Sequence, residues 1–439
     1  MYWRFVVAPL MCGVASVILL TASNVYSNPA APQSPAGDVP HAATPSAPAV
    51  ETPQVSFTPK PIPEFIDKGL AWLAATQFDN GGWGAGAQAR QEIRDPRAVQ
   101  IDPATTAFAA MALLRAGNTL TAGPYRQQIS KALQYLLETV ETSPEEGPKI
   151  TNITGTQPQS KLGQHIDTSM CIQFFSRVLP HTHHDAQLMG RVTQALDKAL
   201  GKLQRAQGQD GSWSGQAWAP VLQSSMANSA LEMAQAAGRR VDEKALDKSR
   251  TYQKGNVDAK SGAVRTERAA GISLYALAGS QRATAQEARE AQRSVDEARA
   301  QKTVAADAEV SVDNLMQAGH AKDKAEALFE AYKQNDATRR MLRDDKVLAG
   351  FGNNGGEEYL SYMMTSESLV VTESKDWDEW YTTMGRRLGK VQNPDGSWSG
   401  HHCITSPVFS TAAVVLTMTA DRDVQVLRSE QQRVSQKPN

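Results

Sequence analysis

The chain is poor in features that many folds depend on. It has 3 cysteines in 439 residues, too few for a disulfide framework. One of them, Cys12, falls in a leading apolar segment, and Pro9-Leu10-Met11 before it lacks the small residues of a lipoprotein site. Aromatic residues are only 6% of the chain, which favours helices packed through small side chains over a β-rich fold. Neither sign of charge is in excess: Lys+Arg 45 stand against Asp+Glu 46, a net charge of −1. That balance calls for no nucleic acid as partner and for no anionic membrane surface.

What is present begins at the first residues. Arg4 precedes an apolar run from Phe5 to Ala22, followed by Ser23. A short positive region and then an apolar one is the pattern of a secretory signal, and the run is also near the length that spans a bilayer. Residues 1–27 are therefore read as a signal peptide or a membrane anchor. Either reading places the body outside the cytoplasm, periplasmic or extracellular, and the second adds an N-terminal membrane association. Residues 28–61 are rich in Pro, Ala and Ser and read as a flexible linker, because such a composition buries too little apolar surface to fold. Residues 423–439 read as a polar C-terminal tail.

The body, residues 62–422, alternates two kinds of helix. The first is amphipathic. Phe65, Ile66, Gly69, Leu70 and Leu73 share one face; Ile129, Leu133, Leu136, Leu137 and Val140 share another. Leu188, Val192, Leu196, Leu200 and Leu203 form a third stripe, and Trp377, Trp380, Met384, Leu388 and Val391 a fourth. The second kind is apolar nearly all round and rich in Ala, Ser, Thr and Met, as in Thr105–Ala116, Thr168–Leu179, Ser224–Ala237 and Thr405–Ala420. A helix apolar on every side must be buried. Counting an outer helix with the inner helix that follows it gives about six pairs, and the expected fold is an all-α α/α toroid. The charged, Ala-rich segment 283–348 breaks the rhythm. It reads as a helical insertion in the fifth pair, a solvated spacer or a docking arm.

One turn recurs three times: Gln77 with Gly81 and Trp83, Gln207 with Gly211 and Trp213, Gln392 with Gly396 and Trp398. Each Gln-x-x-x-Gly-x-Trp follows an outer helix and precedes an inner one. The glycine permits a positive-φ turn, the indole can cover it, and the amide can bond free backbone groups near a helix end. These residues are expected to staple helix pairs together.

On this motif the chain resembles the squalene-hopene cyclase family, the prenyltransferase and squalene oxidase repeat proteins with a terpenoid cyclase-like toroid. The likeness covers about residues 62–422 apart from the insertion. It implies the fold but leaves the activity open. A class II cyclase protonates its substrate with Asp-x-Asp-Asp-Thr-Ala. The nearest match, Asp102-Pro-Ala104-Thr105-Thr106-Ala107, has alanine in place of the acid. His165-Ile-Asp167 keeps a middle aspartate, so Asp102, His165 and Asp167 are the catalytic candidates. Asp376-Trp-Asp378-Glu379 is the closest literal match but opens an outer helix, where acids suit the N-terminus. The scarcity of aromatics also disfavours a carbocation pocket.

Prenyltransferases of this fold hold zinc with Asp, Cys and His. Asp167 and Cys171, with His401, His402 and Cys403, are the candidate ligands here, and zinc is the candidate cofactor. The run His181-Thr-His183-His184-Asp185 reads as a surface loop. Paired carboxylates at one rim, drawn from Asp102, Asp167, Glu267, Glu357 and Glu358, are a further possibility by position alone. Two functional readings stand. One is a non-cyclising toroid that binds a hydrophobic small molecule or a protein partner. The other is an enzyme acting on an isoprenoid or similar lipid through a metal or acid site at the rim.

Overall fold

The computed structural model describes residues 58–428, apart from Gln216 and Asn353. The expected signal or anchor segment 1–27, residues 28–57 of the linker and the tail beyond Arg428 lie outside the described residues.

The described chain is all-α. Its hydrogen-bonded pairs outside helices amount to isolated bridges such as Gly84 with Ile101. The order is α1 (Glu64–Thr76), α2 (Pro103–Arg115), α3 (Arg126–Thr142), a short α4 (Gln157–Lys161), α5 (Ile166–Val178) and α6 (Ala186–Arg205). Then come α7 (Pro220–Ala236), α8 (Glu243–Lys254), the long α9 (Ser273–Ala300), α10 (Val312–Gln317), α11 (Lys322–Met341) and α12 (Asp345–Leu348). The last are α13 (Gly356–Val371), α14 (Trp377–Gly389), α15 (Pro407–Met418) and α16 (Val424–Leu427). No helix among the described residues is long and apolar enough to cross a membrane.

Six helices form an inner ring. α2 packs on α5, α5 on α7, α7 on α9, α9 on α13, α13 on α15, and α15 back on α2. Every residue of α2, α5, α13 and α15 is buried, which explains why these segments are apolar all round. α1, α3, α6, α8, α11 and α14 form the outer layer, each burying one stripe. In α3 that stripe is Ile129, Ala132, Leu133, Leu136, Leu137 and Val140. The sequence pairs each outer helix with the inner helix after it. In space α3, α6 and α11 lie chiefly on the inner helix before them, and α1 lies chiefly on α15, so the first and last helix pairs meet to complete the ring.

The segment 283–348 is helical throughout most of its length. The second half of α9 and the first half of α11 run beyond the ring and enclose a small core of their own, Ala291, Val295, Val310, Leu315, Ala325 and Leu328. The second half of α11 belongs to the toroid. Gln334 donates to the carbonyls of Lys254 and Val257 at 2.8 and 2.9 Å, and Asn335 donates to the Gln281 carbonyl at 2.8 Å. It therefore fills the place of the fifth outer helix. Residues 423–428, grouped with the tail by their polarity, belong to the folded body, with Leu427 buried and Asp423 in an ion network.

The three recurrent turns are superimposable in their bonding. The amide of Gln77 donates to the Gly81 carbonyl and to Gln128 on the next outer helix, both at 2.9 Å. Gln207 does the same with Gly211 and Ala245, at 3.1 and 2.8 Å, and Gln392 with Gly396 and Phe65, at 2.8 and 2.7 Å. Each indole donates back to the last turn of its outer helix: Trp83 to Leu73, Trp213 to Leu203, Trp398 to Leu388. The glycines sit at φ of 90°, 84° and 93°. A side chain there would strike the backbone of Lys131, Lys248 or Lys68 on the adjoining outer helix. The turn thus joins three elements, and the Gln392–Phe65 bond ties the last pair to the first.

Candidate functional site

The first residues of neighbouring inner helices touch one another, and so do their last residues. The six helices are therefore parallel, and their dipoles add: one pole of the toroid gathers helix N-termini, the other the C-termini of all but α9, which runs on beyond the ring. The sequence matches this polarity, with carboxylates at the first pole and arginines at the second.

At the N-terminal pole two carboxylates converge on the start of α2. Asp102 caps it, accepting from Thr105 N at 2.7 Å. Asp167, from the first turn of α5, accepts from Ala104 N at 3.0 Å and from the Gln159 amide at 2.8 Å. Ala104 at the start of α2 thus receives a carboxylate from the neighbouring helix. Both side chains are buried. Burial raises the Asp102 carboxyl, and burial together with the charge of Asp102 pushes Asp167 up to about 7. The charge of one buried acid thus favours the protonated form of the other. Above Asp167 opens a cleft of about 450 Å³, lined by Ile150, Ile153, Thr151, Thr154 and Gln164 among others. Beside the pair, burial and then Lys149 lower His165 to about 4, so its ring is neutral. It starts α5, and its backbone N donates to Gln223 at 2.7 Å.

A second pair of acids opens α13. Glu358 accepts from Tyr275 OH at 2.6 Å and from the backbone N of Phe351 and Gly355, each at 2.9 Å. Glu357 accepts from Ile404 N at 3.2 Å. Its other oxygen has no partner, and burial, then Glu358, push it up to about 8. Over these acids lies an edge-to-face aromatic stack: Tyr275 on Trp218, Trp218 on Phe351, Phe351 on His402. The Lys161 ammonium sits 5.3 Å from the centre of the Trp218 ring. Glu267, a carboxylate candidate by position, is exposed in the loop before α9 and joins neither pair.

The expected zinc site is not assembled. Asp167 and Cys171 belong with Asp102, whereas Cys403 faces Glu357 and His402 packs on Phe351; His401 is exposed. Among the described residues no three His, Cys, Asp or Glu side chains are placed to share a metal ion. Burial and nearby acids raise both thiols, Cys403 to about 12 and Cys171 well above its ordinary value. Zinc binds thiolate, so the surroundings oppose the ionisation that ligation needs. Asp376, from the literal cyclase-like match, begins α14 and pairs with Arg339 and Arg343. His181 ends a one-turn helix, Leu179–His181.

The C-terminal pole holds side chains that pattern reading passed over. Glu367 of α13 takes Arg115 of α2 at 2.5 Å, Arg282 of α9 at 3.2 Å and Arg177 of α5 at 3.5 Å. Arg282 also takes Glu232 of α7 at 2.7 Å, and Glu232 takes Arg250 at 3.0 Å. Asp423 accepts from both Arg177 and Arg115, at 2.7 and 3.1 Å. α5 and α13 lie opposite each other in the ring, so the Arg177–Glu367 contact crosses the axis. Three arginines hold the buried Glu367 carboxyl down at about 2, against the burial that would raise it. A lone charged residue in a helix otherwise free of charge, Arg115 in α2 or Glu232 in α7, was the available sequence signal.

No protein-family model and no curated protein matches this sequence. Among solved structures, the chain is similar to a type II terpene cyclase variant from Scytonema in complex with its product, merosterolic acid A. The two are 13% identical, the match covers 82% of this chain and 96% of the other, and the TM-score is 0.34. At that overlap the likeness decides nothing about chemistry.

Proposed function

We propose that this protein is an exported, non-cyclising toroid that binds a small amphiphilic ligand at the N-terminal pole. The observation that carries this reading is the ion bridge across the axis. A cyclase of this architecture would need an apolar chamber large enough to fold a polyprene. Here Glu367 meets Arg177 from the opposite helix and Arg115 and Arg282 from two others, so one end of the axis is filled with paired charge. The open space at the other pole is the cleft over Asp167, where Ile150 and Ile153 stand beside hydroxyl and amide groups. Such a mixture suits a ligand with apolar and polar parts.

Mass spectrometry of the natively purified protein tests the reading. Retained amphiphile, lost on Ile153→Asp, with no cyclised product from added squalene, is the expected result. Formation of a cyclised product would overturn it. The N-terminal residue of the mature protein tests the export component: a start near Asn28 is expected of a cleaved signal. An intact Met1 in a cytoplasmic fraction would sink that component.

One observation favours an enzymatic second reading. Asp167 carries a proton near neutral pH at the floor of the cleft, as a general acid must. On that reading Asp167→Asn abolishes turnover of the bound ligand while leaving its binding intact. On the binding reading the ligand is recovered chemically unchanged from both proteins.

A further inference from the structure

The C-terminal pole offers a binding site independent of the cleft over Asp167. Arg115 ends α2 and Arg177 lies near the end of α5; both side chains are buried. Toward the axis they share Glu367. Away from it they share one oxygen of Asp423, through their Nε atoms at 3.1 and 2.7 Å. Asp423 belongs to no ring helix. It sits between a one-turn helix (Ala420–Arg422) and the four-residue α16, and it remains 12% exposed. It faces a cleft of about 480 Å³ to which Arg115, Arg177, Asn118, His181 and Arg422 also contribute.

The charges do not balance. Arg115, Arg177, Arg250 and Arg282 meet only Glu232, Glu367 and Asp423, and the Nη2 atom of the buried Arg282 has no partner. The neighbouring Lys254–Glu287 pair cancels itself. Helix C-termini offset part of the excess, but a buried guanidinium still favours a full counter-ion. With Asp423 withdrawn, Arg115 and Arg177 would have Glu367 alone, which Arg282 also uses. Two guanidinium groups on one oxygen is also the arrangement by which arginines grip carboxylate and phosphate ligands.

We propose that this cleft binds a small carboxylate or phosphate anion, and that Asp423 is the tethered counter-ion such a ligand displaces. The test titrates inorganic phosphate and succinate into the full-length protein, unaltered and as Asp423→Asn, with sodium chloride holding the ionic strength constant. The variant should melt lower, and phosphate or succinate should restore its melting temperature saturably. Its affinity should be about tenfold above that of the unaltered chain, as expected when a competing charge is removed. Chloride alone should do nothing further. A melting temperature that follows ionic strength only, with no saturation by either anion, overturns the proposal. Should the variant fail to fold, phosphorus NMR of phosphate with the unaltered protein reads the same site. Broadening competed by succinate supports it, and no broadening, or broadening that succinate leaves unchanged, overturns it. Short-chain phosphatidate micelles acting at lower concentration than inorganic phosphate would assign the anion to a lipid headgroup; equal potency would assign it to a free solute.

Discussion

The two poles of the toroid are joined by opposite means. At the N-terminal pole, three Gln-x-x-x-Gly-x-Trp turns connect neighbouring helices through neutral amide and indole bonds to backbone carbonyls, while acids lie buried with little compensation. At the C-terminal pole, arginines and acids from five ring helices and Asp423 lock together as ions. The first pole is local: each turn bonds its own helix pair and the next. The second is global, because Glu367 reaches three helices at once. The difference leaves the first pole held by backbone staples around the cleft over Asp167, and the second held by charges that cross the axis beside the cleft at Asp423.

The largest expected effect breaks the second pole. Glu367→Ala leaves three buried arginines with one counter-ion fewer and should cost about 3–5 kcal/mol or more in urea unfolding. A loss under 1 kcal/mol would mean the network is open to water. Acidity separates the poles without mutation. Glu367 is ionised in the folded chain down to about pH 2, so its contribution is present above about pH 4.5 and disappears as the pH falls through about 2. Asp167 and Glu357 run the other way. They keep protons in the folded chain up to about 7 and 8, so their contribution is present below about pH 4 and is lost as the pH rises through those values. Each such proton is worth about 1.4 kcal/mol per pH unit within its window. Melting temperature should therefore peak in mildly acid solution and fall on both sides; a flat profile from pH 5 to 8 would remove the acid-pair account.

At the staple pole, Gln392→Ala removes the bond that joins the last turn to Phe65 of α1 and the bond to Gly396 within the turn. About 1–2 kcal/mol is expected, with early loss of amide protection in α1, read by hydrogen exchange. Unchanged protection there would show that ring closure rests on packing alone. The smallest effect is that of Asp167→Asn, which deletes a buried charge at high pH and a carboxyl proton at low pH. Its unfolding free energy should stay within about 1 kcal/mol of the parent near neutrality, and its decline between pH 5 and 8 should be shallower than the parent's.

Much of the architecture was legible because it is written at short range. The stripe in α3, the all-round burial of α2 and α15, and the three turns each depend on residues within one or two helical turns of one another. The candidate site was only half legible. Asp102 and Asp167 could be singled out, each at the start of a buried helix, but not their convergence on the first turn of α2. The zinc expectation failed for the same reason: Cys171 lies in the second turn of α5 and Cys403 precedes α15, yet they face different acids. Glu357 and Glu358 appeared as candidates by position, while their aromatic cover, built from Trp218, Tyr275, Phe351 and His402, draws on four separate segments.

By itself the sequence determined which helices are inner and which outer, and where the staples fall, since periodicity and a fixed spacing act through neighbours in the chain. The tertiary structure alone decided that the ring closes through α15 on α2, and that α11 supplies its fifth outer helix. It alone decided that Ala104 receives a carboxylate from α5 and that the axis is bridged by Arg177 and Glu367. Those outcomes depend on residues hundreds of positions apart meeting where dielectric and geometry set their energies, and no local pattern encodes that meeting.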